Sequence, residues 1–140
     1  MSVVVDASVA LDWVFQSERS ARSNRVLEQV AREGALVPPI WPAEVANGLL
    51  NARRRGKLEA RELPAALALF ESLSLTVLPE ASLESIRLLV DTGGTAELTA
   101  YDASYLELAL RESAPLATHD EALRAAASKL GVELFSTGSP

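Results

Sequence analysis

The segment Val3-Val4-Val5-Asp6-Ala7-Ser8 decides the predicted fold, because it changes from β-branched residues to a helical pattern at one acidic residue. Three consecutive valines predict a short, buried strand. The residues from about Ser8 onward predict a helix. A strand followed at once by a helix is typical of a parallel sheet that is covered by helices. We therefore expect Asp6 to lie at the carboxyl end of the first strand.

The rest of the chain repeats this alternation of short apolar strands and longer helices. Further strands are predicted at residues 35–37, 75–78, 115–118 and 132–135. Further helices are predicted at about 19–33, 42–55, 59–73, 82–92, 100–112 and 121–130, with Gly93-Gly94-Thr95 separating two of them. The predicted fold class is α/β, a three-layer α/β/α sandwich with a central parallel sheet of about five strands. We expect one domain over residues 1–135 and a C-terminal tail at 136–140.

The composition excludes several kinds of site. The 140 residues include no cysteine, which rules out disulfides, zinc–thiolate sites and cysteine nucleophiles. This absence is compatible with a reducing cytoplasm, where we expect the protein to act. The apolar run at 3–5 is too short for a signal peptide or a membrane span, so no membrane association is expected. The net charge is −6, so binding to RNA would depend on local basic patches and on metal ions in acidic pockets.

Four carboxylates are predicted to meet at one edge of the sheet. Asp6 and Asp120 each follow a predicted strand, and the carboxyl ends of parallel strands lie at the same edge. Glu44 and Asp102 each lie in the first turn of a helix, and a helix that directly follows a strand begins at that edge too. Each acid also has a structural interpretation, as a turn residue, a helix N-cap, a partner of the helix dipole or half of a capping box with Thr99.

The four acids together favour a metal site over these separate explanations. Two carboxylates about 4 Å apart repel by roughly 1 kcal/mol in water and about 4 kcal/mol at an effective dielectric constant near 20. A divalent cation would remove this cost. Because all the candidate ligands are oxygen atoms and the chain has a single histidine, the predicted cofactor is Mg²⁺ or Mn²⁺ rather than Zn²⁺.

Four short motifs in this order resemble those of the PIN-domain nucleases. They are Asp6-Ala7-Ser8 after the valine strand, Pro42-Ala43-Glu44-Val45-Ala46-Asn47, Tyr101-Asp102-Ala103-Ser104-Tyr105-Leu106 and Leu116-Ala117-Thr118-His119-Asp120. The resemblance spans residues 3–135, and the chain length and the second and third motifs look most like the VapC-type toxins of bacterial toxin–antitoxin pairs.

The resemblance implies a PIN fold, cleavage of RNA by an endonuclease that depends on Mg²⁺ or Mn²⁺, a homodimer, and inhibition by a cognate antitoxin. By position, Asp6, Glu44, Asp102 and Asp120 match the acidic residues that hold the metal and carry out catalysis. Ser8 and Thr118 match supporting hydroxyl positions. Asn47, one helical turn after Glu44, is a further supporting candidate, as a residue that orients Glu44 or as a packing residue.

Three other features are left outside the predicted site. His119 adjoins Asp120 and is interpreted as a loop residue beside the site, with a role as a general acid or base as the alternative. Asp12 lies deeper in the first helix and is not assigned. The basic cluster of Arg53, Arg54, Arg55 and Lys57 is interpreted as solvated charge at a helix C-terminus, with a contact to the RNA backbone as the alternative.

Two other functions compete with the ribonuclease. A phosphoryl-transfer domain with an aspartate nucleophile would need a second aspartate two residues after Asp6, where Ser8 stands, and a lysine after a later strand. A non-catalytic PIN-like interaction module would be expected to have lost its acids, and all four are present.

Overall fold

The computed structural model describes residues 1–15, 21–79 and 83–135. The predicted tail at 136–140 and the predicted helix starts at Arg19 and Ser82 lie outside these residues. The strands in the described part are β1 (Val3–Val5), β2 (Ala35–Val37), β3 (Leu75–Val77) and β4 (Leu116–Ala117). The helices are α1 (Ala7–Val14), α2 (Ala21–Glu33), α3 (Trp41–Arg54), α4 (Glu62–Ser72), α5 (Glu84–Ala96), α6 (Ala100–Glu112) and α7 (Glu121–Lys129).

The four strands form one parallel sheet in the order β3-β2-β1-β4. The chain moves in one direction across the sheet from β1 to β3 and then returns past β1 to β4. Because parallel crossovers are right-handed, the helices before β3 and those after it cover opposite faces. This gives the predicted three-layer sandwich. The order in which the strands follow one another reverses between β1 and β4. Open α/β sheets bind their ligands at such a reversal, outside the carboxyl ends of the strands.

The predicted fifth strand is much shorter than expected. The described residues contain four strands, and Leu134 forms only an isolated parallel bridge with Leu116. Two backbone hydrogen bonds support this bridge, from Leu116 N to Glu133 O and from Phe135 N to Leu116 O, both 2.8 Å long. The edge beside β4 is thus covered by one residue pair rather than by a strand.

The predicted break at Gly93-Gly94-Thr95 is wrong, because α5 continues through these residues to Ala96. Glycine within a helix costs only about 1 kcal/mol relative to alanine, which does not interrupt a helix that tertiary packing supports. A Cβ atom at Gly93 would lie 3.0 Å from Leu98 O and 3.7 Å from the Ala103 Cβ atom. Gly93 therefore allows α5 and α6 to approach closely, and the turn between them comes later, at the left-handed residue Glu97.

Apolar burial holds the elements around the site. Val3, Val4 and Val5 have no exposed surface, as expected for a strand covered on both faces. Helix α1 packs against α3, where a Cβ atom at Gly48 would overlap the side chain of Leu11. Close packing of these two helices places the first turn of α3 beside the carboxyl end of β1. Among the described residues, no helix has the length and apolar character that crossing a membrane requires.

Candidate metal and nuclease site

Asp6 is the centre of the predicted site. It directly follows β1 and its side chain is buried, with 8% of the residue exposed. Its Oδ2 atom accepts hydrogen bonds from the Thr118 hydroxyl at 2.7 Å and from the Ser8 hydroxyl at 2.9 Å. Asp6 occupies the N-cap position of α1, but its side chain makes no capping bond there. The carboxylate of Asp6 is thus held by two hydroxyl groups and not by the backbone of α1.

Thr118 connects β4 to the site. The residue is 1% exposed, and besides donating to Asp6 its Oγ1 atom accepts a hydrogen bond from the backbone N of Asp120 at 3.0 Å. The hydroxyl positions that the resemblance implied, Ser8 and Thr118, thus both contact the carboxylate of Asp6. Both residues orient this carboxylate by donating hydrogen bonds to it.

Glu44 lies in the first turn of α3 and is half-buried. Its Oε1 atom accepts a short hydrogen bond, 2.5 Å, from the hydroxyl of Tyr105, which has no exposed surface. Tyr105 lies on α6, on the opposite side of the sheet, so this bond joins the two helical layers over the edge of the sheet. Sequence reasoning did not assign Tyr105 to the site. Its position three residues after Asp102, on the same helical face, was the available signal.

Asp102 lies in the first turn of α6, where only half of the proposed capping box forms. Its backbone N donates to the Thr99 hydroxyl at 3.1 Å, so Thr99 is the N-cap. Among the described residues, the carboxylate of Asp102 accepts no bond from the backbone N of Thr99 in return. The capping box therefore does not account for the carboxylate group of Asp102.

Asp120 does cap a helix. Its Oδ1 atom accepts from Leu123 N at 2.8 Å at the start of α7, and the residue is exposed. One oxygen of Asp120 thus caps α7, and the prediction that Asp120 is a helix N-cap is confirmed. Arg124 on the same helix donates to Thr118 O at 3.3 Å, a contact with the loop of the site that sequence reasoning also missed.

The four acids affect one another electrostatically. The pKa of Glu44 is raised by burial and by the charges of Asp6 and Asp102, while the Tyr105 hydrogen bond partly opposes this. The pKa of Asp102 is raised by burial and then by the charges of Asp120 and Asp6. Burial and the bond to Glu44 likewise raise the pKa of the Tyr105 hydroxyl, which keeps it a hydrogen-bond donor. Asp6 thus acts on both Glu44 and Asp102, and Asp120 acts on Asp102, so the four acids lie within electrostatic range of one another as a chain of neighbours.

The donor set has the chemistry of a site for a hard cation, since it consists of oxygen atoms that repel one another. In the described part of the chain, however, no three His, Cys, Asp or Glu side chains are close enough together to form a ready-made metal site. Three of the acids are instead hydrogen-bonded to protein donors, namely Asp6 to two hydroxyls, Glu44 to Tyr105 and Asp120 to the start of α7. Simultaneous binding of one cation would require their side chains to turn.

Asn47 does not join this group in the structure. It lies on α3 one turn after Glu44, but it is exposed and, among the described residues, it makes no hydrogen bond to Glu44. Its predicted supporting role remains a prediction. By contrast, His119, interpreted as a loop residue beside the site, lies against the unassigned Asp12, with His119 Nε2 2.8 Å from Asp12 Oδ2.

A separate groove of about 1020 Å³ lies at the other end of α1 and α3. Apolar residues and three cations line it, and its members include Phe15, Arg55, Lys57, Arg61 and Leu69. None of the four acids lines this groove. This groove and the candidate chemistry are thus at different places on the molecule.

The sequence matches a known family over most of its length. The model of the PIN domain matches residues 3–129. Over 119 residues, the chain is 34% identical to the VapC ribonuclease Mb0985 of Mycobacterium bovis and to the ribonuclease VapC9 of Mycobacterium tuberculosis. Each match covers 84% of this chain and 85% of the relative.

Solved structures share the fold. The crystal structure of PAE2754 from Pyrobaculum aerophilum superposes with a TM-score of 0.64 at 26% identity, over 90% of this chain and 87% of that one. A chain of the toxin–antitoxin complex from Klebsiella pneumoniae superposes with a TM-score of 0.57, over 85% of this chain and 87% of that one. Its identity is 17%, so this second likeness concerns the fold alone.

Proposed function

This chain belongs to the PIN-domain family, and on that premise we propose that it is an endoribonuclease that cleaves RNA phosphodiester bonds with Mg²⁺ or Mn²⁺, acting as the toxin of a toxin–antitoxin pair. The observation that carries the proposal is the group of four acids at the edge where β1 and β4 end. The similarity to VapC ribonucleases over 84% of the chain supports the choice of RNA as substrate.

In this proposal, Asp6, Glu44, Asp102 and Asp120 hold the cation. Burial, and then the charges of neighbouring acids, raise the pKa values of Glu44 and Asp102, which is the cost that a divalent ion would offset. When bound, such an ion lowers the pKa of a coordinated water and stabilises negative charge on the phosphate. Asp120 offers one oxygen for this purpose, since its Oδ1 atom caps α7.

The other residues of the site orient these carboxylates. Ser8 and Thr118 hold the Oδ2 atom of Asp6, and Tyr105 holds the Oε1 atom of Glu44. These three hydroxyls fix the directions of two carboxylates before any ligand arrives. The hydroxyl-bonded oxygens of Asp6 and Glu44 are held in place, so any turn of these carboxylates toward a cation would exchange these hydrogen bonds for contacts with the ion.

The proposed partners follow from the family. A cognate antitoxin protein would inhibit the ribonuclease, and the protein would act as a homodimer in the cytoplasm. Co-expression with the adjacent gene tests the antitoxin: we expect a stable complex without ribonuclease activity. Separate elution of the two proteins at low salt would contradict this part of the proposal.

Cleavage of RNA by the purified chain tests the activity. A labelled single-stranded RNA should be cleaved internally with Mn²⁺ or Mg²⁺ and remain intact after addition of EDTA. An Asp6→Asn preparation made in parallel reports contaminating nuclease, because asparagine keeps an oxygen that Ser8 and Thr118 can bond. Cleavage that survives EDTA in the wild-type preparation but is absent from the variant would refute the metal dependence.

Two observations bear on the alternative functions. A phosphoryl-transfer domain would use Asp6 as a nucleophile, but its carboxylate is buried and one of its oxygens already accepts two hydroxyl hydrogen bonds. A non-catalytic module would gain nothing from the raised pKa values of Glu44 and Asp102. Neither alternative is favoured by an observation of its own.

A further inference from the structure

Asp12, Ser23 and His119 form a cluster outside the candidate site, here called the α1–α2 clamp. The Nε2 atom of His119 lies 2.8 Å from Asp12 Oδ2 and 3.0 Å from Ser23 Oγ. The Ser23 hydroxyl donates to the same Asp12 oxygen at 2.6 Å. Ser23 has no exposed surface, while the side chains of His119 and Asp12 are 27% and 17% exposed. Three elements, α1, α2 and the loop after β4, therefore meet at one carboxylate oxygen.

The hydrogen bonds show which nitrogen of the His119 ring carries a hydrogen. The Oδ2 atom of an ionised Asp12 can only accept, so the Nε2 atom of His119 must carry a hydrogen and donate it. Asp12 and Ser23 both contact this one nitrogen. In a catalytic triad, by contrast, the acid and the nucleophile contact different nitrogens of the ring. The α1–α2 clamp is therefore suited to holding a histidine in place and not to relaying a proton.

A second hydrogen bond joins α1 and α2 beside Asp12 and Ser23. The indole Nε1 of Trp13, the residue after Asp12, donates to the backbone O of Ser23 at 2.9 Å. Trp13 is 1% exposed, so its position is set by the core. Because both the side chain and the backbone of Ser23 are bonded to α1, the clamp offers His119 an ordered acceptor.

His119 stands between two residues of the candidate site. Thr118 before it donates to Asp6 and accepts from the backbone N of Asp120 after it. The side chains of Thr118 and His119 thus bond the loop to different parts of the protein, Thr118 to the carboxylate after β1 and His119 to α1 and α2. Without the clamp, the loop would keep its bonds to Asp6 and to α7 but would lose those to α1 and α2.

We propose that Asp12 is a positioning residue, which acts through His119 to hold the loop of Thr118 and Asp120 in register with Asp6. This inference rests on the proposed ribonuclease function. It assigns Asp12 no contact with RNA or with the cation. Partners that orient metal ligands from outside typically contribute 10- to 100-fold to affinity or activity, which sets the expected effect at about that size.

A spectroscopic experiment tests the clamp without any activity. The chain contains one histidine, so a histidine-selective NMR spectrum reports on His119 alone. In the metal-free wild-type protein we expect a slowly exchanging Nε2–H proton. The Asp12→Asn variant keeps an acceptor oxygen and should keep this signal, whereas in Asp12→Ala the signal should shift and exchange faster, because of the two contacts only that with the Ser23 hydroxyl would remain. An Nε2–H signal that persists unchanged in Asp12→Ala would overturn the proposal.

Kinetics and metal binding then separate positioning from stability. For Asp12→Ala we expect kcat to fall about 10- to 100-fold, the Kd for Mn²⁺ to rise about tenfold, and KM for RNA to change little. The Asp12→Asn variant should restore most of kcat. The matched control is Val26→Ala, which removes a buried apolar group of α2 one turn after Ser23. It should lower the melting temperature and leave kcat and the Kd for Mn²⁺ near their wild-type values.

Each contrary result has a distinct meaning. If Asp12→Ala keeps the kcat and the Mn²⁺ affinity of the wild type, the inference is overturned. Equal losses of kcat in Asp12→Ala and Val26→Ala would overturn it too, since the loss would then follow stability alone. A loss in Asp12→Asn as large as in Asp12→Ala would make the charge, and not the hydrogen bond, responsible. If the wild-type protein cleaves no RNA, the proposed function fails, while the NMR and Mn²⁺ measurements still decide on the clamp.

Discussion

The two ends of helix α3 carry opposite charges, and only one end buries them. Glu44, in the first turn, is half-buried against Tyr105 and close enough to Asp6 and Asp102 for their charges to raise its pKa. At the other end the cations extend into water. The exposed residues there are Arg53, Arg54, Arg55 and Lys57.

The helix dipole favours both arrangements, acids at the N-terminus and cations at the C-terminus, by a similar amount, about 0.3–1 kcal/mol each. The dipole therefore does not explain why the acids are crowded. Exposed cations are solvated at little cost, whereas carboxylates that share a partly buried pocket oppose folding. A protein that keeps such a pocket gives up stability at that place, which is typical of a ligand site.

The largest expected effect is on catalysis at the acidic end. The Asp102→Asn variant should lose more than about 100-fold in kcat, beyond the range for residues that act from outside a metal site. Its metal-free stability should stay equal or rise, because the change removes a charge from the crowded group. The Thr99 cap is not affected, since it uses the backbone N of Asp102.

RNA cleavage and thermal unfolding of the same preparation check this prediction, with Asp91→Asn, an exposed acid of α5, as the control. Full cleavage activity together with mild destabilisation would remove Asp102 from the site.

Metal binding should be the next largest effect. At ten times its Kd, Mn²⁺ should stabilise the folded chain by about 1.4 kcal/mol, because it binds the folded acids and not the unfolded chain. For a chain of this length that corresponds to a rise of roughly 5 °C in the melting temperature. Calorimetry with and without Mn²⁺ measures the shift. Glu44→Gln should abolish it and Arg54→Gln should not. An equal shift in all three proteins would mean that the ion binds elsewhere.

A smaller effect concerns the pH dependence of stability without metal. The folded pKa of Glu44 is raised above its ordinary value of 4.5, so its charge opposes folding at neutral pH, and this penalty disappears as pH falls through the folded pKa toward 4.5. The Glu44→Gln variant, which keeps an acceptor for Tyr105, should therefore be more stable than wild type at pH 7, by at most about 1 kcal/mol given solvent screening. The difference should vanish near pH 4.5.

Glu84→Gln provides a control of opposite sign for the pH experiment. The ion pair with Arg87 lowers the pKa of Glu84, so this exposed carboxylate favours folding at neutral pH and its contribution is lost as pH falls below its ordinary range. Urea unfolding at several pH values measures both variants. The same sign for both would show that the crowding of acids around Glu44 is not the cause.

The smallest effect is expected at the basic end of α3. Replacing Arg53 and Arg54 by glutamine should cost a few tenths of a kcal/mol per residue through the helix dipole, and should leave Mn²⁺ affinity unchanged. Cleavage rates at increasing salt concentration test the alternative interpretation. If the double variant raises KM and weakens the salt dependence, these residues contact the RNA backbone, and the two ends of α3 then act on the same substrate.

Local patterns predicted much of the fold. The strands at Val3–Val5 and Ala35–Val37 lie where they were expected, and α2 ends before Gly34, whose positive φ of 84° suits glycine. The rule that parallel strands end at one edge predicted that Asp6 and Asp120 share an edge, and the family resemblance named Thr118, which donates to Asp6 in the structure. The sequence pattern failed at Gly93-Gly94, where packing against α6 overrides a weak helical preference, and at 132–135, where only one residue pair forms.

The sequence by itself determined which residues are acidic, where short strands give way to helices, and hence which edge of the sheet the acids occupy, because these properties depend on neighbouring residues and on general rules of topology. Only the tertiary structure decided which side chains hold the acids. The bond from Tyr105 to Glu44 joins residues 61 positions apart, and the bond from His119 to Asp12 joins residues 107 positions apart. Contacts of this kind depend on how whole helices pack against each other, and no local pattern encodes the relative position of two elements so distant in the chain.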